Sequence, residues 1–287
     1  MMAITAPGKP VSAQSDEQRL LLIDGLNIVR RVYEANPQPD SREKVEGTVK
    51  SSLGSFKRAL NEIAPTHVLV AFDYGGQTWR HRLYPAYRAN RKPMPQLLRD
   101  ALPDLYEQLA ERFGVAVASI PDVEADDVIA TCFSRWACAK TGPAVVMSTD
   151  KDLAWLMTQG ALIRDHFTPE WRDAEWAERK FGIPPALILD FLALMGDDVD
   201  GVPGLDGVGK VTAAKWLLAY QSLDGVLESA GTIKGKVGER LREKTETVRL
   251  SRQLVSLKTD VQCGLTWNAL RLGAGKNHAA PQLAQTA

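Results

Sequence analysis

The chain alternates between short apolar runs and helical patterns, and this alternation constrains the fold more than any other feature. Three runs rich in Val and Leu, at residues 19–24, 66–73 and 143–150, predict buried strands. Apolar residues recur every three or four positions over residues 43–63 and 124–140, which predicts amphipathic helices. Strands alternating with helices predict an α/β fold with a mainly parallel central sheet flanked by helices.

The strand patterns stop after about residue 165. Residues 184–195, 210–220 and 236–256 predict helices, and a Gly/Pro-rich loop, GDDVDGVPGLDGVG, joins the first two. Both ends of the chain are small, polar and without periodicity. We therefore expect an α/β part over 19–180, a helical part over 181–272, and disordered tails at 1–18 and 273–287.

Composition excludes several classes of protein. The 35 basic and 35 acidic residues cancel, so only local segregation of charge can create a surface for a polyanion. The three cysteines show no spacing typical of a disulfide framework, which favours a reducing compartment and a cytoplasmic location. No apolar run reaches the roughly 18 residues of a membrane span, and residues 1–18 do not resemble a secretory signal. We expect no contact with a membrane.

Each of the three predicted strands ends in an aspartate: Asp24, Asp73 and Asp150. Because ligands bind beyond the carboxyl ends of such strands, these side chains are expected to share one crevice. Any one acid could simply cap a helix, but capping does not explain the repetition, and clustered carboxylates are favourable only with bound cations. Further acids lie in the motifs EADD, TDKD and GDDVD: Glu124, Asp126, Asp127, Asp152, Asp197 and Asp200.

The ligand types indicate the metal. These motifs contain carboxylates and neither His nor Cys, which favours Mg²⁺ or Mn²⁺ over Zn²⁺. The acids outnumber the one or two that usually hold a single Mg²⁺, so we expect two or more ions. Paired ions stabilise the attacking and leaving oxygens of a phosphoryl displacement. The predicted chemistry is phosphodiester hydrolysis.

Residues 79–92, WRHRLYPAYRANRK, carry five Lys or Arg residues and no acid, with aromatic residues between them. Basic side chains neutralise phosphates and aromatic rings stack on unpaired bases, so this segment is a candidate clamp for a single strand. The alternative is a solvated basic face with its aromatic residues in the core. The candidate contacts are Arg80, Tyr87, Arg88, Arg91 and Lys92.

A glycine-rich turn precedes the helix that begins near residue 210. Its exposed N–H groups would suit a phosphate, although the spacing is not that of a P-loop. A hairpin that grips a duplex backbone fits the pattern, while any pair of helices could need glycine at its turn. The candidate duplex contacts are Gly204, Gly207, Gly209, Lys210, Thr212 and Lys215.

Taken in order, LLIDGLN, VAFD, WRHRLYPAYRANR, EADD, STDKDL and GDDVDGVPGLDGVGKVTA resemble the 5′-nuclease family. That family includes the 5′-3′ exonuclease domain of bacterial DNA polymerase I, phage 5′-nucleases and stand-alone flap endonucleases. The resemblance covers about residues 19–258 and implies a stand-alone member with a PIN-like sheet. It also implies a helical arch over about 79–113 and a helix–three-turn–helix hairpin at 204–215, which often holds K⁺ through backbone carbonyls.

The resemblance implies a Mg²⁺-dependent, structure-specific 5′ nuclease, expected as a monomer, acting on DNA with a 5′ flap, a fork or a free 5′ end. Arg88 and Arg91 would neutralise the scissile phosphate beside the catalytic Asp24, Asp73 and Asp150, and Tyr87 would stack on a displaced base. One metal cluster would comprise Asp24, Asp73, Glu124, Asp126, Asp127, Asp150 and Asp152, and Asp197 and Asp200 would complete a second position.

Two residues depart from the family pattern. Arg88 stands where the arch motif usually has Lys, and Gly201 stands where the GD-x-x-DN pattern has Asn, which could slow catalysis and loosen the loop around Asp200. Two alternatives therefore remain: a non-catalytic binder of branched DNA with a decayed metal site, and a PIN-like ribonuclease. The full acid set argues against the first, and the glycine hairpin with the second aspartate pair argues against the second.

Overall fold

A six-stranded sheet forms the centre of the computed structural model, which describes residues 17–274. The predicted tails therefore lie almost wholly outside the described residues. The strands run in the order β3-β2-β1-β4-β5-β6; the first five are parallel and β6 is antiparallel. Their bounds are β1 (Leu20–Asp24), β2 (His67–Phe72), β3 (Ala116–Ser119), β4 (Ala144–Met147), β5 (Leu162–Arg164) and β6 (Trp171–Arg172). The prediction of a mainly parallel sheet is confirmed.

Three of these strands were not predicted from the sequence. β4 is equally short but is rich in valine, whereas β3, with the sequence AVAS, consists mostly of small residues and β5, with the sequence LIR, ends in arginine, so neither stands out as an apolar run. The expectation that strands stop after about residue 165 is wrong, because β6 pairs Trp171 with Arg164 and Arg172 with Ile163. These additions extend both edges of the sheet and leave β1, β2 and β4 at its centre.

Helices cover both faces of the sheet and form the second part of the chain. The predicted helix over 236–256 is two helices, because Lys244 leaves the helical conformation between them. Within residues 17–274, no helix combines the length and the apolar character needed to cross a membrane. The helices are α1 (Gly25–Ala35), α2 (Arg42–Ile63), α3 (Trp79–Leu83), α4 (Gln96–Asp100), α5 (Leu102–Phe113), α6 (Ala125–Ala139), α7 (Ala174–Phe181), α8 (Ile188–Met195), α9 (Lys210–Tyr220), α10 (Leu223–Glu228), α11 (Gly235–Glu243), α12 (Thr245–Val255) and α13 (Trp267–Leu270), with 3-10 turns at 152–159, 185–187 and 229–231.

The hydrophobic core has two layers, one on each face of the sheet. On one face, α1, α2 and α5 bury side chains such as Ile28, Phe56 and Leu105. On the other face, α6 contacts the 3-10 segment at 152–159, which contacts α8 in turn, and Phe133 and Leu192 belong to one continuous cluster. This shared cluster holds the helical part beside the carboxyl edge of the sheet.

The segment predicted as a helical arch contains less helix than expected. Helix α3 ends at Leu83, turns follow, and α4 begins at Gln96. A proline at 93 and another at 95 disfavour helix in the intervening stretch. The arch segment thus consists of short helices joined by turns, and its first turn lies against the site described below.

Candidate active site

The carboxyl ends of β1, β2 and β4 open into one cleft of about 130 Å³. Asp24 ends β1, Asp73 directly follows β2, and Asp150 lies three residues beyond β4. Asp126, in the first turn of α6, also lines the cleft. The structure therefore brings these four carboxylates, which are far apart in sequence, to one place.

Local hydrogen bonds set the positions of these carboxylates. Asp24 caps α1, because its Oδ1 accepts from the backbone N of Asn27 at 3.0 Å. Asp73 Oδ1 accepts from the backbone N of Ala125 at 2.8 Å, at the beginning of α6. Asp150 Oδ1 accepts from the backbone N of Asp152 at 3.0 Å. Asp24 and Asp73 thus accept hydrogen bonds at the beginning of a helix and also belong to the carboxylate cluster.

The cluster carries a strong electrostatic penalty. Burial, with repulsion from Asp73 and Asp150, raises the pKa of Asp24 to about 7. Burial and the neighbouring carboxylates Asp150 and Asp24 raise the pKa of Asp126 well above its usual value. Burial also raises the pKa of Asp150, and burial with repulsion from Asp150 raises that of Asp152. Such a cluster becomes favourable when cations enter it.

The donor set fits a hard divalent cation. Asp126 Oδ1 is buried, and no hydrogen-bond partner meets it within the described chain. Among residues 17–274, no three Asp, Glu, His or Cys side chains form a group that could hold a metal by themselves. Mg²⁺ keeps several of its waters and binds through one or two carboxylates, so an open cleft of carboxylates suits it. Neither His nor Cys is among the described residues that line the cleft, which disfavours Zn²⁺.

Arg88 provides positive charge at the edge of the cleft. Its guanidinium lies 3.1 Å from Glu124 Oε2, 3.2 Å from Asp200 Oδ1 and 3.5 Å from Asp73 Oδ2. Burial alone would lower the pKa of this guanidinium, but the facing carboxylates raise it above its usual value. Arg88 is therefore a fixed cation that contacts three of the predicted metal ligands.

Cationic side chains also occupy the second aspartate pair. Lys151 Nζ lies 2.6 Å from Asp197 Oδ2, and Asp197 Oδ1 accepts from the backbone N of Val199 at 3.0 Å. Asp200 faces Arg88 and, at 3.8 Å, Arg91. Both aspartates predicted for the second metal position thus bind protein cations in this structure.

Arg80 and Tyr87 lie inside the protein, in contrast to their predicted contacts with DNA. Arg80 is 2% exposed and donates to the carbonyl oxygens of Leu254 and Ser256, both at 2.7 Å. Tyr87 is 4% exposed, and its hydroxyl donates to Glu124 Oε2 at 3.2 Å. Neither side chain reaches the surface in this structure, which disfavours a direct contact with DNA, and their roles in DNA binding stay a prediction. Arg91 and Lys92 are exposed, as a DNA contact requires.

Asp127 is separated from the carboxylates that line the cleft. It is fully buried, and its two oxygens accept from Arg80, from Trp79 Nε1 at 3.0 Å and from the backbone N of Lys258 at 3.0 Å. These donors leave little capacity for a metal ion. Asp127 therefore differs from its neighbour Asp126, although the sequence presents them as an equivalent pair.

Some residues of the glycine turn are packed inside the protein and others are exposed. Gly204 is buried with φ +62°, and its N donates to Ser251 Oγ at 2.9 Å, so it serves packing rather than DNA contact. The backbone carbonyl of Asp206 accepts from Arg240 Nη1 at 3.0 Å. Thr212 is half-buried. The exposed candidates for duplex contact are Gly207, Gly209, Lys210 and Lys215.

Several residues in and beside the cleft were not predicted from the sequence. Asn27, Arg30 and Arg31 line it from α1, and Asn27 Nδ2 donates to Thr149 Oγ1 at 2.7 Å. Lys151 was not singled out, although it lies inside the TDKD motif. For the three residues of α1 the signal was their spacing, because positions three, six and seven after Asp24 lie in the first two turns of the helix that it caps.

Two family models match the chain along nearly its whole described length. The N-terminal resolvase-like domain of the 5′-3′ exonucleases matches residues 19–182, and their C-terminal SAM fold matches residues 183–278. A structure of T5 5′-exonuclease with bound zinc has a TM-score of 0.72 at 19% identity, covering 84% of this chain and 90% of that one. The catalytic core of Rad2 with a DNA substrate has a TM-score of 0.54 at 16% identity, covering 85% of this chain and 80% of that one. Both structural likenesses concern the fold alone.

Curated relatives show closer sequence similarity. The flap endonuclease Xni of Shewanella loihica is 37% identical over 243 residues, which cover 85% of this chain and 93% of that protein. The flap endonuclease Xni of Shewanella amazonensis is 37% identical over 254 residues, which cover 88% of this chain and 98% of that protein. The resemblance inferred from the motifs is thus confirmed: the chain belongs to the 5′-3′ exonuclease family.

Proposed function

We propose that the chain is a divalent-metal-dependent, structure-specific 5′ nuclease that hydrolyses phosphodiester bonds in DNA with a 5′ flap or a free 5′ end. The observation that carries the proposal is the single cleft in which four carboxylates meet beside Arg88. The flap endonuclease relatives, together with neighbours solved with metal ions or with DNA, support it.

Carboxylates of the cleft would hold the metal. Asp24, Asp73, Asp126 and Asp150 line it, and Asp152 adjoins Asp150 through a backbone hydrogen bond. Their oxygen-only chemistry suits Mg²⁺ or Mn²⁺, and two or more ions are part of the proposal. Bound divalent ions supply the charge that stabilises the attacking and leaving oxygens of the phosphodiester.

The chain's own cations would recognise the phosphates. Arg88, at the edge of the cleft, and the exposed Arg91 would neutralise the scissile phosphate as the strand enters. The duplex would lie on the exposed part of the glycine hairpin, where Lys210 begins α9. We also propose K⁺ at this turn; duplex affinity in KCl compared with NaCl tests it, because a specific site distinguishes the two ions at equal ionic strength.

Cleavage of a 5′-flap oligonucleotide tests the function. We expect product with Mg²⁺, none with EDTA, and at least about a hundredfold less with Asp150→Asn, because the cluster loses a charged oxygen ligand. Asp260→Asn, at an exposed position, is the matched control and is expected to cleave like the wild type. Equal product under all these conditions would overturn the proposal.

The same assay separates the alternatives. Tight binding of the flap without cleavage in Mg²⁺ or Mn²⁺ would indicate a non-catalytic binder, whereas faster cleavage of an RNA strand of the same structure would indicate a ribonuclease. A monomer acting in the cytoplasm belongs to the same proposal, and sedimentation analysis measures the oligomeric state.

A further inference from the structure

The turn at the base of the arch packs directly against the loop that carries the second aspartate pair. We call residues 84–91 the arch turn and residues 197–202 the aspartate loop. The backbone N of Arg88 donates to the carbonyl oxygen of Asp200 at 2.9 Å. Gly201 has φ +68°, and a Cβ at this position would lie 2.9 Å from the carbonyl oxygen of Ala86. The two segments therefore touch through their backbones, and the contact requires a residue without a side chain.

The two departures from the family pattern meet at this contact. A Cβ on residue 201 would also lie 3.4 Å from the backbone N of Arg88. Asparagine could adopt the left-handed backbone of residue 201, but its Cβ would press on the arch turn. The close approach, rather than the turn conformation alone, explains glycine here.

An arginine suits this contact better than a lysine. The planar guanidinium of Arg88 reaches Glu124, Asp200 and Asp73 at once, which a single ammonium cannot do with the same geometry. Arg88 itself has φ +55°, a left-handed conformation that non-glycine residues rarely adopt. Such a conformation persists only where surrounding contacts hold it.

We propose that Asp200 and Gly201 are positioning residues: the aspartate loop docks the arch turn and holds the Arg88 guanidinium at the edge of the carboxylate cleft. Asp200 acts twice, through its carbonyl oxygen on the Arg88 backbone and through its carboxylate on the side chains of Arg88 and Arg91. The docking is a property of the free protein, and only its consequence for cleavage rests on the proposed function.

Limited digestion with trypsin tests the docking without any need for activity. Trypsin cleaves after arginine, so peptide mass spectrometry can follow cleavage after Arg88 and Arg91 in the metal-free protein. We expect Gly201→Ala to accelerate cleavage at these bonds about tenfold, because an undocked turn opens more often. Asp200→Asn is expected to change the rate in the same direction.

A matched glycine controls for backbone strain. Gly264 has φ +64°, close to that of Gly201, but an added Cβ there would meet nothing within 4 Å in the described part of the chain. Gly264→Ala therefore introduces the same strain without the clash, and we expect wild-type digestion after Arg88. If Gly201→Ala and Gly264→Ala are digested at equal rates at these bonds, the docking proposal is overturned.

Two further measurements distinguish positioning from ligation and from a loss of folding. Gly201→Ala should lower kcat for flap cleavage about tenfold with little change in KM, because Arg88 is displaced while the duplex surface is intact. The number of bound Mn²⁺ ions, counted by electron paramagnetic resonance, should be the same in Gly201→Ala and the wild type, because residue 201 has no ligating side chain. Loss of one Mn²⁺ in Gly201→Ala with unchanged digestion would make metal binding, rather than docking of the arch turn, the role of this residue and overturn the proposal. A wild type that cleaves no flap would refute the proposed function alone.

Discussion

The Arg80 guanidinium and the Asp127 carboxylate form a buried two-point ion pair, with 2.8 Å between Nη1 and Oδ2 and 3.0 Å between Nη2 and Oδ1. The same guanidinium donates to the carbonyl oxygens of Leu254 and Ser256 at the end of α12. The pair thus joins α3, α6 and the helical part of the chain. Arg80 was predicted to contact DNA and Asp127 to bind a metal ion. In this structure the two side chains together connect the arch segment to the rest of the protein.

Removing Arg80 should destabilise the protein severely. Arg80→Ala leaves the Asp127 charge buried without its partner, which typically costs about 3–5 kcal/mol of the free energy of unfolding. Denaturant unfolding monitored by circular dichroism measures the loss. Arg179→Ala breaks an exposed pair with Glu175 and should cost less than about 1 kcal/mol. Similar losses in both variants would show that the buried pair contributes little.

The sequence predicted the part of the site that depends on strand order. Asp24, Asp73 and Asp150 each follow a strongly apolar strand, and the carboxyl ends of parallel strands meet at one edge, so their convergence follows from local patterns alone. The central sheet was predicted for the same reason. β3 consists mostly of small residues and gave no usable pattern, so it is recognised only from its pairing with β2.

The remainder of the site depends on contacts between distant residues. Arg80 and Asp127 are 47 positions apart, and Lys151 pairs with an aspartate 46 positions further along the chain. Segment 79–92 contains no acid, so its sequence indicated a cationic surface. The acids that pair with its arginines lie in other elements of the chain, where the sequence pattern does not show the pairing. Charge patterns along a sequence do not distinguish a buried ion pair from a free cation, and packing decides between them.

Neighbouring carboxylates Asp126 and Asp127 should respond oppositely to the same substitution. Asp126→Asn removes the carboxylate whose Oδ1 lies unpaired in the cleft, so Mn²⁺ affinity should fall at least about tenfold and cleavage with it. Asp127→Asn should leave Mn²⁺ affinity nearly unchanged but lower stability, because an NH₂ group replaces one of the two oxygens that accept from Arg80 and the charge opposite the guanidinium is lost. Mn²⁺ titration and denaturant unfolding of both variants measure the two effects. If Asp127→Asn loses Mn²⁺ affinity as strongly as Asp126→Asn, Asp127 is a ligand.

The acid cluster should make the metal-free protein less stable as the pH rises. The pKa of Asp24 is about 7 in the folded chain and near 3.8 when unperturbed, so its stabilising protonation is fully present below pH 3.8 and lost as the pH rises through 7. Asp24→Asn keeps a helix-capping oxygen but removes the charge. In EDTA, the variant should gain Tm relative to the wild type between pH 5 and pH 8.

The Tm gain of Asp24→Asn in EDTA should amount to a few degrees and should depend on divalent cations. A gain of about 1 kcal/mol corresponds to about 2–4 °C in Tm for a chain of this size. Mg²⁺ at pH 8 should raise the Tm of the wild type more than that of Asp24→Asn, because bound cations relieve the repulsion. An equal Tm difference between the two proteins at both pH values in EDTA would contradict a raised pKa for Asp24.

The exposed lysines of the glycine hairpin should control duplex affinity through its dependence on salt. Lys210 begins α9, where its Nζ donates to the carbonyl oxygen of Lys180, and Lys215 is exposed one and a half turns later. We expect both ammonium groups to contact phosphates of a duplex that lies on the turn. Replacing either lysine with alanine should weaken binding at low salt and reduce the slope of log K against log salt by about 1. Fluorescence anisotropy with a labelled duplex at several KCl concentrations measures the slope. Lys57→Ala, at an exposed position on α2, removes the same charge elsewhere and should leave the slope unchanged. If the hairpin variants and Lys57→Ala give the same slope, the duplex binds on another surface.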